Sequence, residues 1–158
     1  MRHGLARIED IVCLAALVVM TALTFANVVA RYVFSASFSF SEEITTYLFV
    51  LLSLVGSAVA ARRKAHLGFT ALLDMASPAL RRKLSLVSFS LALVFSASLF
   101  YYGCQMAASQ FSRGQVTAGM QLPEWIFGAF VPLGAFFITA EFFFLLKDLL
   151  AEGKGESI

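Results

Sequence analysis

Four stretches of this 158-residue sequence, at 11–30, 44–61, 84–112 and 125–140, contain no Lys, Arg, Asp or Glu. Nothing else in the chain constrains its fold as much. A hydrocarbon layer of about 30 Å is crossed by a helix of about 20 apolar residues. The fourth stretch reaches that length because Phe142 to Leu146 continue it beyond a single acid, Glu141. Within lipid only helices and closed barrels satisfy their own backbone, and these runs lack the polar and apolar alternation of a barrel strand. Composition agrees: 59% of residues are apolar and 14% charged, whereas soluble domains carry about a quarter charged. A soluble domain this small could not hide that apolar excess. The expected fold is an all-α integral membrane protein with four transmembrane helices, approximately at 10–33, 41–61, 80–110 and 124–147. They form one domain, 1–151, followed by a short tail, 152–158.

The basic residues set the expected orientation. Arg2 and Arg7 precede the first helix, Arg62, Arg63, Lys64, Arg81, Arg82 and Lys83 lie between the second and third, and Lys147 and Lys154 follow the fourth. Only Arg31 and Arg113 fall on the other side, so the excess of cations places both termini and the middle loop in the cytoplasm. The first apolar run is too long for the roughly 7 to 15 residues of a signal-peptide core, and is read as a retained helix. Ser39 with Glu42 has capping-box spacing at the start of the second helix, and Pro123 with Glu124 opens the fourth. Between them, Phe69, Leu72, Leu73 and Ala76 repeat at helical spacing opposite Thr70, Asp74 and Ser77. This predicts a short amphipathic helix, 66–76, lying in the membrane interface. Arg62, Arg63, Lys64, Arg81, Arg82 and Lys83 at its ends would meet anionic lipid headgroups; a cytoplasmic docking surface is the other reading.

Few residues suggest chemistry. Glu141 is the one acid inside an apolar run, near the end of the fourth helix, where it can snorkel or pair with a basic group of the middle loop; an ion or proton site is the sharper alternative. Arg31, Glu42 and Glu43 share a short external connection, either as a clamp that fixes loop geometry or as a charged docking patch. Ser53, Gly56, Ser57, Ala60 and Ala61 put small residues at i, i+3, i+4 and i+7, a face that admits another helix closely, with Ser53, Gly56, Ser57 and Ala60 as its candidate packing residues. The hydroxyls of the third helix, Ser85, Ser88, Ser96, Tyr101 and Tyr102, and the amide of Gln105 are expected to support hydrogen bonds between helices rather than line a pathway. In the fourth, phenylalanines on all sides imply contact with lipid, and Pro132 implies a kink or a packing notch. Cys13 and Cys104 lie in apolar runs and His3 and His66 outside them, so neither a disulfide framework nor a metal or haem site is expected. No cofactor, catalytic residue or nucleic-acid partner is expected of this chain.

The stretch Asn27-Val28-Val29-Ala30-Arg31-Tyr32-Val33-Phe34, then Ser41-Glu42-Glu43, Gly56, Arg62 and His66, resembles the small permease subunit of TRAP transporters, the DctQ-like family. Leu122-Pro123-Glu124-Trp125 and Val131-Pro132-Leu133-Gly134 resemble that family's entry into its last helix, so the resemblance covers nearly the whole chain. Phe40 and Ser41 stand where many relatives have Trp before the Glu pair. The resemblance implies a bacterial inner-membrane protein that is not an enzyme. It implies a scaffold in a three-part secondary transporter, beside a large permease subunit holding the substrate and sodium sites and a periplasmic solute-binding protein. The substrate class it implies is a small organic anion. Two other readings are a membrane anchor of a respiratory oxidoreductase, which would want intramembrane histidines, and a self-sufficient four-helix exporter, for which Glu141 is the sole candidate carboxylate.

Overall fold

The computed structural model describes residues 2–36, 39–63 and 78–155. It contains α1 (Arg2–Phe34), α2 (Ser39–Arg62), α3 (Pro78–Ser112), α4 (Glu124–Gly128) and α5 (Phe130–Gly155), with α4 and α5 forming one span. All four spans are long and apolar enough to cross a membrane, the all-helical four-span fold that the uncharged runs dictate. The helices outrun those runs: α1 has 33 residues and α3 has 35, about 50 Å each at 1.5 Å per residue. Helix α5 continues to Gly155, past residue 152, where the sequence suggests a tail. The interfacial helix expected at 66–76 lies outside the described residues.

The helix ends follow from local chemistry. At the end of α1, Ser35 turns left-handed at φ 50, and the Ala36 N–H donates to the Ala30 carbonyl at 3.2 Å. α3 ends in a Schellman motif. Gly114 takes φ 60, its N–H donates to the Phe111 carbonyl at 3.2 Å, and the Gln115 N–H donates to the Gln110 carbonyl at 3.1 Å. The fourth span breaks at Ala129, between α4 and α5. Proline has no N–H to offer the carbonyl four residues back, so Pro132 leaves that of Gly128 without its helical partner; the ladder resumes with Leu133 N–H to Ala129 at 3.1 Å. Pro132 is also a packing notch, because a Cβ on Gly103 of α3 would sit 3.1 Å from its Cδ.

Packing runs in the order α1, α2, α5, α3, with each helix lying mainly against its neighbours in that row. The core is the seam between the two central helices, where Leu51, Val55, Ala58 and Ala61 of α2 meet Phe137, Ile138, Phe142 and Leu145 of α5. These α2 residues recur at helical spacing and form one stripe. The central helices approach closely at Gly134, where a Cβ would lie 2.5 Å from that of Leu54. The outer helices expose most of their surface: 6% of the apolar window of α1 is buried, against 33% for that of the last span. The phenylalanines of the last span divide accordingly, Phe137 and Phe142 inward and Phe136 and Phe143 outward.

Hydroxyl groups follow a simpler rule than the one expected from sequence. Ser96 and Ser98 of α3 donate to Leu93 and Val94 of their own helix, at 3.1 and 2.8 Å. Thr21, Thr46, Ser57 and Thr139 do the same four residues back in theirs. A carbonyl in the same helix is always within reach, so a serine in an apolar helix needs no neighbour. Ser41, which is buried, does bond between helices, to the Leu23 carbonyl of α1 at 3.2 Å.

Candidate functional site: two charged clamps and an open helix face

At the end of the row that carries both termini, Arg62 closes α2 against α1. Its Nη2 lies 2.6 Å from Asp10 Oδ1 and its Nη1 3.4 Å from Glu9 Oε2. Glu9 is fully buried, and neither of its carboxylate oxygens has a hydrogen bond among the described residues. The guanidinium is therefore its counter-charge. Arg63 adds a longer contact to Asp10, 3.9 Å. Glu141 of α5 lies within electrostatic reach of Glu9 and is itself fully buried. That burial corrects the expectation that Glu141 snorkels to the surface; the middle loop expected to pair with it lies largely outside the described residues.

Sequence reasoning treated Glu9 as a boundary before the first apolar run and missed it. A signal was available: Leu5, Glu9, Val12, Cys13 and Ala16 share one helical face, and every one of them is buried or half-buried. Arg62, expected at lipid headgroups, is instead turned inward, its side chain 14% exposed. Arg63, Arg81, Arg82 and Lys83 are exposed, and Lys64 lies outside the described residues.

The opposite end holds the charges expected to act together, and the structure separates them. Arg31, in the last turn of α1, pairs with Glu42 in the first turn of α2 at 3.5 Å, with both side chains more than half exposed. Each charge suits its helix end, cation at the C-terminus and anion at the N-terminus. Glu43 turns the other way. Its carboxylate accepts from the backbone N–H of Gly119 at 3.2 Å and of Met120 at 3.0 Å, in the loop between α3 and α4. That loop is closed by a bridge between Val116 and Pro123 and by Thr117, which is buried and bonded to Leu122 through both its N–H and its hydroxyl.

The small-residue face of α2 turns away from the packed seam, and among the described residues no other helix covers Gly56. Ser53 and Ser57 are exposed, Gly56 and Ala60 half-buried, and a Cβ on Gly56 would meet no atom within 4 Å. The stripe that faces α5 lies on the other side of the helix and includes Ala61, expected on the small-residue face but fully buried in the core. Among the described residues no group of three His, Cys, Asp or Glu could hold a metal ion. What the arrangement can do is hold helices at fixed spacing and offer a smooth face to another helix.

The sequence profile of the DctQ component of tripartite ATP-independent periplasmic transporters matches residues 5–151. An ectoine TRAP transporter small permease protein, TeaB, of Halomonas elongata is 27% identical over 135 residues, covering 85% of this chain and 69% of that protein. A C4-dicarboxylate TRAP transporter small permease protein, DctQ, of Vibrio cholerae is 38% identical over 80 residues. That alignment spans 51% of this chain and 34% of the relative.

Proposed function

The chain belongs to the DctQ component family of tripartite ATP-independent periplasmic transporters, and from that premise we propose that it is the scaffold on which a separate, larger permease subunit is mounted. It is a multi-pass membrane protein and the small permease subunit of such a transporter. In the proposed arrangement it sits in the inner membrane with both termini cytoplasmic. The large subunit carries the substrate and sodium sites, and a periplasmic binding protein delivers a small organic anion. This chain holds no cofactor and performs no reaction. Relatives named for ectoine and for C4-dicarboxylates are both similar to it, which supports placing the choice of substrate in the other subunits.

The observation that carries the proposal is the open face of α2. A central helix of the row presents Ser53, Gly56, Ser57 and Ala60 away from its own packed stripe, with clear space over Gly56. Helix association in lipid depends on close backbone approach, which small residues permit. The test is co-purification of the two permease subunits with wild-type chain and with Gly56→Leu. The substitution is expected to leave the yield of this chain intact and to abolish the complex. An undiminished complex would rule this face out as the contact, and solute uptake by liposomes containing this chain alone would overturn the scaffold reading.

A further inference from the structure

We propose that Glu43 is a positioning residue that holds the loop between α3 and α4 as a preformed contact surface for the soluble binding protein. The inference rests on the scaffold reading above and assigns a task to one carboxylate at its outer end.

Exposed connections of this length normally move freely. This one is built. It leaves α3 through the Schellman motif at Gly114, pairs Val116 with Pro123, bonds Glu124 N–H to the Gln115 carbonyl at 2.9 Å, and buries Thr117. Its apex, Gly119 and Met120, is held by Glu43, which belongs to a different part of the row: α5 stands between α2 and α3. Tyr47 of α2 stacks on Phe127 of α4 at 4.5 Å and joins the helices below the loop, while the carboxylate ties down the loop's apex relative to the first two helices. A carboxylate accepting two backbone N–H groups makes charge-assisted bonds, stronger than those of a neutral acceptor.

The surface held in this way suits a water-soluble protein. Phe111 and Trp125, stacked edge to face with centroids 5.6 Å apart, stand at the loop's two feet, where aromatic rings mark the level of the membrane interface. The residues between the two spans, 113–123, lie outside the apolar helices. They include exposed Gln115 and Gln121, the apolar Val116 and Leu122, and Arg113, whose guanidinium has no ion-pair partner among the described residues. An unpaired arginine among apolar and amide side chains is the composition of a protein contact patch. A partner with acidic side chains fits it. Holding the patch rigid before contact removes an ordering cost from each docking event.

The test is uptake by proteoliposomes containing both permease subunits, measured against the concentration of loaded binding protein. Glu43→Ala is expected to raise the half-saturating concentration roughly tenfold while leaving the maximal rate and the yield of complex unchanged. Glu43→Gln, which keeps an acceptor oxygen, should recover most of the loss. Arg113→Glu should act like Glu43→Ala. An unchanged half-saturation in Glu43→Ala overturns the proposal, as does a fall in maximal rate alone. A half-saturation that follows the anionic lipid content of the vesicles, whatever stands at position 43, overturns it in favour of headgroup contact. A wild-type complex that ignores the binding protein would instead defeat the proposed delivery by a binding protein, whatever Glu43 does.

Discussion

Helix α2 has two faces that look alike in sequence and differ completely in surroundings. Toward α1 and α5 it presents Leu51, Val55, Ala58, Ala61 and finally Arg62, a stripe in which Val55, Ala58 and Ala61 have no exposed surface. Turned away is Ser53, Gly56, Ser57 and Ala60, smaller and smoother, with open space over the glycine. Both faces contain the small residues associated with close helix packing. Where α2 meets α5, however, the glycine that permits close approach is Gly134, supplied by the partner helix. Small side chains show where a helix could approach; only the location of the apolar and charged neighbours shows which side is already taken.

The two faces should respond to substitution on very different scales. Arg62→Ala is expected to cost most, about 3–5 kcal/mol, because it strands the buried Glu9 carboxylate without its counter-charge. Thermal unfolding in detergent micelles would measure this, and adding Glu9→Gln to the same chain should recover much of the loss. Gly134→Ala should cost about 1–3 kcal/mol by forcing a methyl group against Leu54 where there is no room. At the outer end, Arg31→Ala should cost no more than about 1 kcal/mol, since its partner Glu42 and it are both largely exposed. Smallest of all, Gly56→Leu should leave the unfolding temperature of the isolated chain unchanged. Unfolding of Gly56→Leu as early as Gly134→Ala would mean that the outward face is packed after all, and the contrast between the faces would collapse.

Much of this architecture was legible because lipid imposes a simple length rule. Runs free of charge marked all four spans, and Pro132 marked the irregularity in the last. The break itself falls at Ala129, since the damage a proline does lies at the carbonyl four residues earlier. Other features were hidden for physical reasons. The order of helices in the row depends on which apolar faces meet, and α3, apolar nearly all round, carries little information about that. Glu9 was concealed by its position at the edge of an uncharged run, where an acid ordinarily faces water. The partner of Glu43 could not be read at all. It is a pair of backbone N–H groups, and every residue but proline has one; their availability is decided by the fold of a distant loop.

The buried clamp at the terminal end also bears on how the protein is made. Glu9 leaves the ribosome long before Arg62, and Glu141 arrives only with the last span. During synthesis the first helix therefore carries a carboxylate whose counter-charge does not yet exist, so it has reason to stay near the water at the membrane's edge until α2 is complete. A chain interrupted after its first helix would keep that acid uncompensated, a chemical mark by which an unfinished product differs from a finished one.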